Sequence, residues 1–271
     1  MKKHKYSGML AILALLVMAC SNDSEQVIID NDVTLQQIYQ LTDSYINAQD
    51  TATGNAKYYI DPELAAIDIN ATIDAYNEDS SDPDTYFAAG IAASYKASEG
   101  ITPPNPSQGV DNASNPLDYV GKYHVDILHH QLTHKQNYIG NHGSFRYERS
   151  TEITRNLLQQ YGENVQPSNT YTESSFKTYY RQLKQELQSV NFLLSEIILK
   201  MKDEGKITTV ESQVLHAYFT MQESASSLSA YIQYSIQAEQ IIVNSNYPQQ
   251  TKDFLLFTMA TARHDFNYWN Q

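Results

Sequence analysis

The sequence predicts an all-α protein: a helical bundle of seven to eight helices with a long antiparallel helical hairpin near the C-terminus. Three observations carry that reading. Apolar residues recur at helical spacing through most of the chain. Phe176, Tyr180, Leu183, Leu187, Val190, Leu194, Ile197 and Met201 step in an unbroken heptad rhythm, as the buried seam of a long helix does. No run alternates apolar and polar residues for long enough to require a strand.

The elements follow in order. Thr34, with Gln37 three residues on, marks a capping box, and Leu35, Ile38, Leu41 and Tyr45 give that helix a buried face to about Asp50. Asp61-Pro62-Glu63 and Asp82-Pro83-Asp84 each combine a capping carboxylate, a first-turn proline and an acid near the positive helix end. Residues 99–114, with three prolines, two glycines and no periodicity, read as an internal linker. Asn115-Pro116 opens a helix expected to reach Asn137, and another covers about Phe145 to Tyr161. The heptad helix ends at Gly205, a C-cap. Thr208 with Glu211 starts its partner, whose stripe runs from Val210 to Ile242. Pro248 starts a last helix with Leu255, Met259, Ala262, Phe266 and Trp269 on one face. Residues 34–271 thus read as a single all-α domain, with the last three helices as its spine.

The N-terminus addresses the chain. Lys2, Lys3 and Lys5 precede an apolar run, Met9 to Met18, that is too short to span a bilayer comfortably. Val17-Met18-Ala19-Cys20 resembles a bacterial lipobox, so residues 1–19 are read as a lipoprotein signal peptide. Cys20 is the expected lipid attachment site, and residues 20–33 form an acylated, flexible tether. Several acyl chains on one residue give stable anchoring. Cys20 is also the only cysteine, which excludes a disulfide framework, a thiolate metal site and a catalytic cysteine. The chain carries 18 Lys+Arg against 31 Asp+Glu, a net charge of −13. The first twenty residues hold three Lys and no acid, so the remainder sits three charges lower, at −16. That balance argues against nucleic acid as a partner and keeps the domain off anionic lipid. Tyrosine is abundant, at 21 residues, a side chain suited to helix packing, interfaces and sugar stacking alike.

Chemistry-bearing residues concentrate between Asn115 and His134. In "HQLTH", His130 and His134 have the spacing of the zinc ligands in an H-E-x-x-H helix, and Asp126 lies one turn before them. These three are the candidate metal ligands. Gln131 stands where the general-base carboxylate is needed, and His142 does not match a third ligand. The expectation is therefore no metal, no cofactor and a solvated helix edge. His124 falls in the middle of the apolar face formed with Val120, Ile127 and Leu128. It is either a core imidazole bonded to a neighbour such as a Tyr hydroxyl, or one side of a polar pocket shared with Asp118. Glu148 and Glu152, among Arg146, Arg149 and Arg155, read as a solvated face. No phosphate loop, G-x-S-x-G element or triad order is present.

"NPLDYVGKYHVDIL", residues 115–128, is similar to the N-P-x-D-x-x-G-x-x-H element of uncharacterised secreted and lipid-anchored helical proteins of Bacteroidetes type. "MATARHDFNYW", residues 259–269, resembles their aromatic C-terminal helix. Their histidine is often followed by Asn; here Val125 follows His124. The resemblance implies an exported helical fold and no activity. The run Ser21 to Glu25 resembles the acidic surface-export signal of such lipoproteins, and Asp50-Thr51-Ala52 fits their O-glycosylation sequon at Thr51.

The sequence therefore leads to a lipid-anchored outer-membrane protein, at the cell surface or on the periplasmic face. Its expected role is non-catalytic binding or scaffolding, with an envelope protein or glycan as partner. Two alternatives stay open: a hydrolase using His124 with Asp118 or Glu148, or a metal at His130 and His134; and a glycan-binding accessory lipoprotein.

Overall fold

A computed structural model describes residues 32–50, 62–78, 83–98, 102–104, 110–134, 146–165 and 171–270. Cys20, Thr51, His142, the signal segment and the tether up to residue 31 lie outside them; the end of the expected tether, Asp32 and Val33, instead caps and starts the first described helix. Ten α-helices and no strand occur among the described residues: α1 Val33–Asp50, α2 Pro62–Glu78, α3 Pro83–Ala97, α4 Asp118–Thr133, α5 Tyr147–Gln160, α6 Glu173–Ser189, α7 Leu194–Asp203, α8 Thr209–Ser224, α9 Leu228–Val243 and α10 Gln249–Trp269. No described helix is long and apolar enough to cross a membrane.

The all-α class is as expected; the count exceeds seven to eight because both long helices are broken. The heptad seam splits between α6 and α7. Asn191 and Phe192 take left-handed backbone angles (φ 54° and 59°). Phe192 N–H donates to Leu187 O and Asn191 N–H to Gln188 O, at 2.9 and 3.2 Å. This is a Schellman ending with Asn in the usual glycine place. The Glu223 carboxylate then accepts from Ser195 N–H and Ser195 Oγ–H at 3.0 and 2.8 Å, capping the start of α7. The seam still names the right face: Phe176, Leu183, Leu187, Leu194, Ile197 and Met201 are all buried. The second long helix is interrupted at Ala225–Ser227, where Ser227 Oγ accepts from Ala230 N–H and starts α9. The expected long hairpin is thus not continuous: α7 packs on α8, whereas α6 packs against α2.

Caps explain most other boundaries. The Thr208–Glu211 capping box is present, and Thr172 with Ser175 forms a second one at the start of α6. α1 is capped by Asp32, whose Oδ1 accepts from Leu35 N–H at 2.9 Å, rather than by Thr34. Asn115 does not cap α4 directly. Its Oδ1 accepts from Leu117 N–H in a tight turn, and the helix begins at Asp118.

α10 sits at the centre. Every residue from Phe254 to Tyr268 is buried, so this stretch of the helix has no solvent face. It contacts α2, α4, α8 and α9. A closed ring also forms: α2 packs on α3, α3 on α4, α4 on α10, and α10 on α2. α1 lies over α8 and α9, α7 over α8, α5 against α3 and α6 against α2.

A helix buried all round must have partners for its polar side chains. Arg263 has no exposed side-chain surface. Its Nε donates to Glu239 Oε1 at 2.8 Å and its Nη2 to Glu239 Oε2 at 3.1 Å; its other donors reach Val110 O and Asp118 Oδ1. Glu239, also fully buried, accepts from Asn112 Nδ2 and Asn115 Nδ2, each at 2.8 Å, and from Ser235 Oγ at 3.0 Å. Ser235 Oγ lies 2.7 Å from Tyr218 OH, which lies 2.7 Å from Tyr231 OH. The end of the expected linker is therefore no loose spacer: Val110 and Asn112 are core residues.

Two outcomes are expected from this architecture. Glu239→Ala leaves a buried guanidinium without its main counter-charge and should cost about 3–5 kcal/mol in urea unfolding; a loss below about 1 kcal/mol contradicts the network. Asn191→Gly relieves a left-handed residue and should raise stability by about 0.5 kcal/mol, whereas Asn191→Val should lower it, both read as midpoint shifts in the same titration.

Candidate functional site

The interior of the ring formed by α2, α3, α4 and α10 holds three titratable side chains from three helices. Asp68 lies in α2, within Leu64 to Ile73, where every residue is buried. His124 comes from the apolar face of α4, and Asp265 from α10. All three side chains have zero exposed surface. His124 Nε2 is 2.7 Å from Asp68 Oδ1 and 3.8 Å from Asp265 Oδ1, and one ligand atom from each residue lies within 4.8 Å of the other two.

The fourth helix supplies space. A Cβ at Gly90 of α3 would overlap Thr72 Oγ1 and come within 3.1 Å of His124 Cε1. Phe87, one turn earlier, lies tilted against the His124 ring at 6.2 Å between centroids. On the other side, a Cβ at Gly121 would run into the Ala260 carbonyl, so α4 and α10 approach backbone to backbone one turn before His124. These glycines cost helix propensity and bring the three titratable groups together.

The polar atoms of the group are not satisfied by one another. The 2.7 Å approach of Nε2 to Asp68 lies out of line for a hydrogen bond. Both nitrogens of His124 and all four carboxylate oxygens of Asp68 and Asp265 lack a hydrogen-bond partner. Burial, the Asp68 charge and a contact with Asp68 that only a shared proton can bridge push the Asp265 carboxyl well above the usual range. Two ionised carboxylates cannot stay buried together without a proton or a cation between them.

His124 was singled out from sequence; its partner was not. The expected polar pocket of Asp118 with His124 is not formed. The two stand six residues apart on α4, about 9 Å along the axis and a third of a turn round. Asp118 instead pairs with Arg263, and its Oδ1 lies 3.3 Å from His264 Nε2. Asp111 joins Asp118 and His264 in a second convergence of ligand atoms, but there the Arg263 guanidinium already supplies the positive charge. Nor is His124 bonded to a Tyr hydroxyl.

His130 and His134 stack on each other at 4.3 Å. His134 closes α4: its backbone N–H and its Nδ1 both reach the His130 carbonyl, at 3.1 and 2.9 Å. Burial, then His134 and His129, lower the His130 pKa. Among the described residues, Asp126, His130 and His134 do not converge as the Asp68 group does. Gln131 explains the motif's spacing. It is fully buried, accepts from Ser150 Oγ at 2.8 Å and donates to Thr154 Oγ1 at 3.0 Å, clamping α4 to α5. Glu148 is exposed, and Glu152 pairs with Arg149 on the surface.

An aromatic patch lies at the opposite end of α4, over its first turns. Tyr123 stacks on Tyr161 at 4.5 Å and meets Tyr119 edge-on at 5.4 Å. Tyr119 and Tyr161 are 40% and 38% exposed, unlike the buried Tyr218, Tyr231, Tyr234 and Tyr268. Asp126 and Glu163 lie close enough to raise the pKa of Tyr161 and Tyr119 respectively, beyond what burial does.

No family model matches the chain, and no curated protein or solved structure is significantly similar to it.

Asp118 carries a pH signature. Burial alone would raise its carboxyl, but hydrogen bonds and charge from His264 and Arg263 hold it at about 2, below the ordinary 3.8. A depressed carboxyl stabilises the fold above its unfolded value and loses that contribution as pH falls through the folded value. Stability on the order of 2 kcal/mol should therefore disappear between about pH 4 and pH 2. Asp118→Asn should be less stable at pH 7 and show a flatter acid limb in chemical unfolding from pH 5 to 2; an unchanged limb counts against the pairing.

Proposed function

We propose that the chain is a lipid-anchored cell-envelope protein, held through Cys20 at the outer membrane, that binds or scaffolds a partner and catalyses no reaction. The observation that carries this is the complete enclosure of Asp68, His124 and Asp265. These three titratable groups touch no surface from which a substrate could reach them. The hydrolase reading needs His124 beside Asp118 or Glu148, and these belong to a separate ion network and to an exposed helix face. A depression of about 280 Å³ between Tyr76, Lys206, Glu211 and Phe254 is lined by no His, and its Glu211 is engaged in the capping box of α8.

One specific observation favours a glycan as the partner. Tyr119, Tyr123 and Tyr161 present stacked and edge-on rings at the surface, with Asp126 and Glu163 near them. Ring faces with carboxylate acceptors are the combination that holds a sugar, whose C–H face stacks while its hydroxyls donate.

Cys20→Ala should move the full-length chain from the membrane to the soluble fraction of a lipoprotein-processing host and abolish labelling by an alkyne fatty acid. Retention and labelling in that variant would remove the anchor. For the second reading, Tyr119→Ala with Tyr161→Ala should weaken binding to a positive oligosaccharide by about tenfold or more without lowering the unfolding midpoint appreciably. An oligosaccharide panel to which the full chain shows no binding ends that reading.

A further inference from the structure

We propose that Asp68, His124 and Asp265 form a buried binding site for one divalent first-row transition-metal ion, of the Mn²⁺, Fe²⁺ or Zn²⁺ class. The proposal stands whether or not the chain is lipid-anchored or binds a glycan.

Four observations converge on it. The donors are one imidazole nitrogen and carboxylate oxygens from two residues, a mixed N/O set that suits these ions rather than Ca²⁺, which takes oxygen alone, or Cu⁺, which prefers sulfur. The spacing fits. Bonds of about 2.1 Å meeting at angles between octahedral and tetrahedral place neighbouring ligand atoms about 3.0–3.4 Å apart. The observed separations from His124 Nε2, 2.7 and 3.8 Å, bracket that range. Both His124 nitrogens are fully enclosed and without hydrogen-bond partners, and the carboxylate oxygens of Asp68 and Asp265 find none but a proton shared between them. In a purely structural cluster the imidazole would be bonded to a carboxylate or to a neighbouring hydroxyl. Finally, the charge needs an answer. Without an ion the cluster can balance its two carboxylates only with a proton, because Arg263 is committed to Glu239 and Asp118.

Further oxygen donors stand on the same helix face. The hydroxyls of Thr258 and Thr261, seven and four residues before Asp265, are buried and unpartnered. They fall on the Asp265 side of α10 by helical spacing and suit the support of a ligand shell. Gly90 leaves His124 Cε1 and Thr72 room, where any larger residue would displace the imidazole.

A site with no exposed ligand atom is filled as the chain folds, so metal binding and folding are coupled. The ion should exchange slowly with chelator in the native protein and be lost on unfolding. The role this gives it is structural: it joins α2, α4 and α10 across the ring.

The test uses the full-length chain in detergent without a histidine tag. It is unfolded in chelator, then refolded alone or with Mn²⁺, Fe²⁺ or Zn²⁺ in turn. Metal is read by elemental mass spectrometry after desalting, and folding by circular dichroism and Tm. The expected result is close to one equivalent of one of these ions, a Tm at least about 5 °C above that of the metal-free chain, and loss of both in Asp265→Asn. Replacing both surface histidines, His130→Ala with His134→Ala, should leave the metal content and the metal-dependent rise in Tm unchanged. If Asp265→Asn does not fold, Co²⁺ refolded into the unaltered chain gives the second readout, a ligand-field spectrum of one bound ion with an imidazole ligand. A chain that refolds to the same Tm with no retained metal overturns the proposal and makes the cluster a proton-sharing structural group. Metal retained by Asp265→Asn but lost with the surface histidines overturns it in favour of the α4 terminus.

Discussion

A guanidinium sealed inside a helical bundle imposes more order than any apolar contact, because every one of its donors must be answered or the fold fails. Arg263 is in that position. Its answers come from α9 through Glu239, from the start of α4 through Asp118, and from the chain ahead of α4 through the Val110 carbonyl. Glu239 in turn draws in Asn112 and Asn115. One ion pair thus fixes where α4 begins, how α9 lies on α10 and why Val110 and Asn112, just ahead of α4, enter the core. The position of His124 on α4 follows from it, since the helix is held at its first residue by the same guanidinium.

Around that fixed point, small residues set the distances. Gly121 admits the α10 backbone, Gly90 admits Thr72 and the His124 ring, and the alanines of α2 and α3 let these helices nest. The polar groups of the ring are consequently closer than large side chains would permit. The fold keeps two kinds of buried charge apart. Arg263 with Glu239 is a satisfied network; Asp68, His124 and Asp265 are an unsatisfied one. The first stabilises through hydrogen bonds already made, and the second has coordination left to offer.

Much of this was legible in the sequence, and the failures have definite causes. The heptad rhythm from Phe176 to Met201 correctly named the buried face. It missed the break because two helices that bury equivalent faces keep the same rhythm across a Schellman turn, and Asn191 in the left-handed place leaves a fainter mark than glycine would. Thr208 with Glu211 was read correctly because both halves of the box are local. His124 stood out as the one polar residue on an apolar face without a capping or turn role. Asp68 and Asp265 did not stand out, although each is a carboxylate inside an apolar helix; their meaning depends on contacts 56 and 141 residues away from His124. "HQLTH", read from the sequence as a metal motif without its general base, has another account. Its spacing is helical spacing, which a core clamp at Gln131 and a terminal cap at His134 satisfy as well as a metal does.

Gly121 bears on how any related sequence is to be interpreted. The distance between α4 and α10 is set there by a missing carbon, since an added Cβ meets the main-chain carbonyl of Ala260, which has no rotamer by which to retreat. A relative with a larger residue at this position must have shifted one helix against the other, and the ring interior with them, even if its aspartates and histidine are all retained. The glycine, chemically silent, is therefore a more discriminating marker of an intact centre than the charged residues that occupy it.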